Sequence, residues 1–329
     1  MPTLHPDWMN ECRDALTNLP LCQIPMPGSH DAGSFGPINT QSKTQEYSIK
    51  GQLMYGVRYF DFRVKVDNGQ FFAHHGLDDA RHNPYAQYPV EIPKSNGEIF
   101  YEISEFCNDH PGEVVIVNFT DFTAVARQSF NDDDKRHFME RMRAIFGKKM
   151  VRRKELWKDD KGQPVYGNDI PTYGDCMNNG WKILVLINEN DVPVWRAHPD
   201  IWPTIGCWRD RFSAVKYATN SKEEMVRKTM EDQQEYLTTA HAEDGRDRTM
   251  FWVSQTILDY PAYEAGGKSR NYWGAETLNP EFVTAYEKWW NGKSATGIPS
   301  LVKQPNILLF DFCADFEDFP TTCKKLVKG

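Results

Sequence analysis

The sequence predicts an α/β fold whose parallel strands close into a (β/α) barrel. Short β-branched runs such as EVVIVNF, KILVLIN and NILLFDF have the unbroken apolar character of strands buried on both faces. Helically spaced segments alternate with them, as in an α/β chain. No Gly-rich dinucleotide fingerprint follows any strand, which favours a barrel over a Rossmann sheet.

Taken in order, Trp8, Cys12 and Leu16 share one face of a helix over residues 7–18, and LCQIPM then reads as a strand. A glycine-containing loop, PGSHDAGSFG, follows it. Residues 47–55 form a helix leading into VRYFDFRV, whose alternation is that of a strand, and QFFAHH is another short strand. Ile99, Ile103 and Phe106 give residues 96–108 helical spacing, and EVVIVNF follows. NDDDKRHFMERMRAIFG has an acidic first turn, an apolar face of Phe138, Met142, Ile145 and Phe146, and a terminal glycine, the marks of an amphipathic helix. KILVLIN, MFWVSQTIL and NILLFDF are the later strands. The stretches 188–208 and 259–300 read as irregular loops. There are no repeats and no low-complexity linker, so residues 1–329 read as one domain.

Composition narrows the class without giving the chemistry. The 38 Lys and Arg against 46 Asp and Glu leave a net charge of −8, which argues against a nucleic-acid partner. It also gives no global attraction to anionic membranes, so any lipid contact is local and transient. Seven scattered cysteines without a C-x-x-C pair point to free thiols and a cytoplasmic setting. No signal peptide or membrane span is apparent, although a mature secreted chain would read the same way. The expected state is a monomer without a cofactor.

Titratable residues gather at strand ends. His30 and Asp31 follow LCQIPM, Asp61 and Arg63 lie in VRYFDFR, His74 and His75 close QFFA, and Asp311 follows ILLF. In a parallel barrel the strand C-termini share one mouth, where active sites lie. Two imidazoles there could take and give a proton, a guanidinium could grip phosphate oxygens, and carboxylates could set the imidazole tautomers.

The segments PGSHDAGSF, QLMYGVRYFDFRV and FFAHHGL, over residues 25–77 and in this order, resemble the X-domain signatures of phosphatidylinositol-specific phospholipases C. The fit is best to the single-domain bacterial enzymes and the related X-domain-containing proteins. EVVIVNFTDF, GWKILVLIN, FWVSQTIL and NILLFDF are similar to that family's later strands. The resemblance implies a distorted (β/α)8 TIM barrel that cleaves inositol phospholipid to diacylglycerol and a cyclic inositol phosphate. It makes His30 the base for the inositol 2-hydroxyl, oriented by Asp311, and His75 the acid, partnered by Asp31. Arg63 would stabilise phosphoryl charge, with Asp61 in support.

Calcium-dependent members carry an acidic residue where this chain has Arg63, so the resemblance implies metal independence. Asn118 and Thr120 leave too few carboxylates for a calcium shell of about six to eight oxygens. Basic headgroup contacts of the secreted bacterial enzymes are matched here by Thr120 and Asn188. Trp208, Trp252 and Tyr260 are candidates to stack on the inositol ring. His74 reads as a packing neighbour, and the basic run KKMVRRK as a solvated face. Two other readings stand beside the lyase: a non-catalytic inositol-lipid-binding barrel, and a metal-dependent glycerophosphodiesterase, which would want an early His-Arg pair.

Overall fold

The computed structural model describes residues 3–36, 42–75, 83–84, 98–124, 131–153, 157–158, 164–165, 170–187, 198–204, 207–212, 224, 227–229, 231–233, 235, 251–255, 257, 270–290, 306–315 and 318–328. Its strands are β1 (Met26–Ser29), β2 (Tyr59–Asp67), β3 (Gln70–Ala73), β4 (Asn83–Pro84), β5 (Val115–Ala124), β6 (Trp157–Lys158), β7 (Pro164–Val165), β8 (Ile183–Ile187), β9 (Trp202–Pro203), β10 (Trp208–Phe212), β11 (Phe251–Gln255) and β12 (Ile307–Phe310). The helices are α1 (Trp8–Glu11), α2 (Arg13–Leu16), α3 (Ile49–Met54), α4 (Ile99–Asp109), α5 (Asp132–Phe146), α6 (Tyr173–Asn179), α7 (Arg270–Trp290) and α8 (Phe319–Lys328).

Eight strands form one parallel ladder in the order β10-β11-β12-β1-β2-β5-β8-β9. The indole N–H of Trp208 on β10 donates to the Tyr59 hydroxyl on β2 at 3.0 Å. Those strands are four places apart in the ladder, so the sheet curls until opposite walls meet, in the manner of a TIM barrel. Among the described residues no ladder joins β9 to β10.

Side-chain alternation along β2 divides the wall. Tyr59, Asp61 and Arg63 share one face, and Phe60 and Phe62 take the other. Phe62 stacks on Phe119 at 5.6 Å, and Phe119 meets Phe100 of α4 and Phe138 of α5, so an aromatic layer fills the space outside the wall. The helices over that layer are well started: Asn131 and Asp134 form a capping box on α5, and Thr172 and Asp175 another on α6.

At the N-terminal end of the barrel, Arg58 and Glu113 precede β2 and β5 and form a fully buried ion pair at 2.8 Å. The guanidinium also donates to the carbonyls of Leu53, Val57, His5 and Pro6, and Glu113 accepts from the backbone N–H groups of Met9 and Asn10. The described part of the run KKMVRRK, residues 148–153, lies at this end too, where Met150 bridges Ile183 at the start of β8. It is therefore at the opposite end of the strands from the mouth.

Several elements depart from expectation. The segment 7–18 breaks at Cys12 (φ −107°, ψ 12°) into two short turns, although Trp8, Cys12 and Leu16 are buried together. LCQ forms a 3₁₀ turn and the first strand starts at Met26; Pro20, Pro25 and Pro27 lack the N–H donors that a longer strand needs. β3 runs antiparallel to β2 as a hairpin rather than as a barrel strand. Residues 259–300 are not wholly irregular, because α7 runs through them, burying Leu278, Phe282 and Tyr286. Gly274 and Pro280 hide that helix from a propensity reading. Within 188–208, β9 pairs with β8, and the C-terminal helix α8 is an element that the periodicity did not mark.

Candidate active site

Register across the parallel strands builds the site. The last β1–β12 ladder pair is Ser29 with Phe310, and the His30 N–H still bonds the Phe310 carbonyl at 3.0 Å. One residue further on, His30 and Asp311 stand side by side. On the other flank Ser29 faces Phe60, which brings His30 level with Asp61, and Asp61 faces Asn118 on β5. Asp311, His30, Asp61 and Asn118 thus form one row across four adjacent strands. Two residues higher on β2, Arg63 faces Thr120.

His75 reaches this row by a different route. β2 continues past the rim to Asp67, turns at Asn68–Gly69, and β3 returns beside it, with Val64 opposite Ala73. Gly33 permits the close approach of the loop after β1: a Cβ there would lie 2.1 Å from that of Ala73. The hairpin therefore carries His75 back over His30, with ring centroids 6.4 Å apart and planes at 76°.

Asp31 is the hub. Its backbone is left-handed (φ 41°), a conformation Asp tolerates better than most residues, and its side chain is buried. Arg63 Nε lies 2.9 Å from Oδ1; His30 Nε2 and His75 Nε2 face the same Oδ2 at 3.4 and 3.6 Å. The other nitrogens of both rings are committed. His30 Nδ1–H donates to Asp311 Oδ1 at 2.8 Å, and His75 Nδ1–H donates to the Ser42 carbonyl at 2.8 Å. Both Nε2 atoms are thus the ones left to exchange protons.

These contacts set the electrostatics. Burial works against a charged His30, but Asp31 and Asp311 outweigh it and hold the imidazole up at about 9. Burial also works against an ionised Asp31, yet His30, Arg63 and the neighbouring histidines bring that carboxyl below its usual range. His30, Asp31 and Asp61 have donor atoms within 4.8 Å of one another. That set suits calcium poorly, because three side chains fall short of about six to eight oxygens and the Arg63 cation already lies on Asp31.

The raised His30 value makes stability depend on pH. The interaction is fully present below the free histidine value of about 6.5 and is lost as pH rises through about 9. Wild-type unfolding temperature should therefore fall between pH 7 and pH 10, with a shallower fall in Asp311→Asn; equal slopes would contradict this account of the pair.

No family model matches the chain. The PI-PLC X domain-containing protein 3 of Mus musculus is 30% identical to it over 97% of this chain and 92% of that protein. The chain belongs to the PI-PLC X domain-containing proteins. The human protein 3 of this family is 29% identical with the same coverage. Two solved bacterial structures share the fold at 17% identity. The F249X mutant of the phosphatidylinositol-specific phospholipase C of Staphylococcus aureus superposes with a TM-score of 0.64, covering 98% of this chain and 97% of that one. The Listeria monocytogenes phosphatidylinositol-specific phospholipase C gives 0.61, covering 99% and 98%.

In this PI-PLC X domain, then, the six residues singled out from the motifs, His30, Asp31, Asp61, Arg63, His75 and Asp311, lie together at one mouth. His74 is a neighbour, with Nε2 3.4 Å from the Asp121 carbonyl and from Thr123 Oγ1. Thr120 stands beside Arg63 and donates to the Phe62 carbonyl at 3.3 Å. Trp208 and Trp252 are not brought to the row: Trp208 begins β10 and is engaged by Tyr59, and Trp252 is the second residue of β11 and is buried. Asn188 and Tyr260 lie outside the described residues. The motifs did not flag the strap 42–45, which touches His30, Asp31 and His75; its threonine and glutamine have no periodicity to mark them.

Proposed function

We propose that the protein is a metal-independent phosphatidylinositol-specific phospholipase C that releases diacylglycerol and a cyclic inositol phosphate. The observation that carries this is the convergence of His30 Nε2, His75 Nε2 and Arg63 Nε on one buried carboxylate, with the far side of each ring held by its own acceptor. Two proton-exchanging nitrogens and a guanidinium on one spot suit a phosphodiester. His30 Nε2 takes the proton of the inositol 2-hydroxyl as its oxygen bonds to phosphorus. The bond from phosphorus to the glycerol oxygen breaks, and His75 Nε2–H protonates that oxygen. Arg63 offsets charge on the phosphoryl oxygens and does what a metal would otherwise do, and Asp311 steadies the imidazolium formed on His30.

The surroundings favour an inositol lipid without additional phosphates. Asp61 and Asn118 in the row, and Thr120 two residues above Asn118, stand where a polyphosphorylated headgroup would need cations. Among the described residues no helix is long and apolar enough to cross a membrane. Incubation with phosphatidylinositol vesicles plus a chelator, followed by phosphorus NMR, tests the reading. A cyclic phosphodiester signal that survives chelation is expected. Activity abolished by the chelator would make it a metal enzyme, and binding without turnover would make it a lipid-binding module.

A further inference from the structure

The β1–β12 ladder ends just short of the residues that matter. Beyond Ser29–Phe310 the two chains part, one into left-handed Asp31 and the other into a turn with Phe312 at φ 48°. Gln45 sits in that fork with 1% exposure. Its Nε2 donates to the His30 carbonyl at 2.9 Å and to the Phe310 carbonyl at 3.0 Å. Its Oε1 accepts from the Cys313 N–H at 3.2 Å and from the Cys313 thiol at 3.3 Å. Both amide hydrogens and both lone pairs are thereby used, all on groups that carry or flank His30 and Asp311. Next to it, Thr44 Oγ1 donates to the Asp31 carbonyl at 2.9 Å, and the Thr44 carbonyl accepts the Phe312 N–H at 2.7 Å.

We propose that Gln45 is a positioning residue that holds the His30 and Asp311 loops in register and so fixes the imidazole–carboxylate pair. Its side chain bonds to neither the His30 imidazole nor the Asp311 carboxylate, and its catalytic consequence rests on the reading of His30 as the base. An uncharged amide bonded chiefly to backbone can lock two loops without adding charge to a site already crowded with it. The same strand offers a matched comparison at its other end. Asn306, also 1% exposed, donates to the Leu21 and Ile24 carbonyls and accepts the Trp252 N–H at 2.9 Å. Both amides staple β12 to its neighbours, but only one of them does so beside the pair.

The experiment compares Gln45→Met with Asn306→Leu, each close in shape to the residue replaced, below the unfolding temperature of both. His30 is titrated by carbon NMR, and turnover of phosphatidylinositol vesicles is measured in parallel. Gln45→Met should lower the His30 midpoint from about 9 and reduce kcat by about 10- to 100-fold with KM changed less than about twofold. Asn306→Leu should lose stability yet keep the wild-type midpoint and kcat. If folded Gln45→Met titrates as wild type, or if Asn306→Leu shifts the midpoint equally, Gln45 is a structural staple only and the proposal is overturned. Should the methionine variant not fold, Gln45→Asn, an uncharged amide one methylene too short to keep all four bonds, is read by the same criteria. Absence of turnover in the wild type would defeat the phospholipase reading, while the titration would still decide the role of Gln45.

Discussion

Alanine at His75 is expected to cut phosphatidylinositol turnover by about 10²–10⁴-fold, the usual worth of one positioned acid or base. Alanine at His30 should cost at least as much. The two variants should differ in stability. His75 is partly exposed and hands its Nδ1–H to a backbone carbonyl, so its loss leaves one acceptor to water. His30 is buried between Asp31 and Asp311, so removing it leaves two carboxylates facing each other with less cation between them. His30→Ala should therefore unfold at a lower temperature than His75→Ala at neutral pH.

The pH profile carries a separate signature. With the imidazole held at about 9, most His30 is protonated at neutrality, and kcat/KM should climb with pH up to that value as the neutral base appears. That limb should vanish in His30→Ala. Wild-type turnover in both alanine variants would remove the two-histidine mechanism.

Glu113→Ala should destabilise the fold by about 3–5 kcal/mol, the range for breaking a buried ion pair on one side. The change strands Arg58 as an uncompensated charge with no solvent access, and frees the backbone amides of Met9 and Asn10 that had donated to Glu113. Denaturant titration gives the loss directly. Because the pair lies below β2 and β5, at the far end of the strands from His30, the activity of the fraction still folded should match wild type. A loss under about 1 kcal/mol would mean that water or a rearranged carboxylate compensates the guanidinium.

The meeting of these candidate residues at the mouth was legible because parallel strands impose a rule: a residue just past the C-terminal end of a strand arrives there. His30, Asp31 and Asp311 obey it directly, and Asp61 and Arg63 lie inside β2 on the face turned to the barrel. His75 arrives by a hairpin whose direction was not apparent from QFFAHH, because alternation marks a strand without saying which way it pairs. Arg58 and Glu113 went unnoticed since a charge before a strand resembles any surface residue until tertiary structure closes over it. Gln45 is similar: its four bonds exist only after β1 and β12 meet. Helix α7 was missed because its Gly274 and Pro280 speak for a loop, and packing of Leu278, Phe282 and Tyr286 overrides them.

His30 and Asp311 are separated by 281 positions in the chain. On a ribosome adding about 5–20 residues per second, roughly 15–55 s pass between the synthesis of the histidine and of its carboxylate. Throughout that interval the open edge of β1 has no β12 to pair with, and the imidazole has no Asp311 to steady it. Under the proposed mechanism, a nascent or prematurely terminated chain lacks the orienting carboxylate even when both histidines and Arg63 are already made. The order in which the strands are synthesised thus acts as a delay on the chemistry, and a truncation before β12 that leaves the mouth motifs intact should yield protein that cannot complete its base.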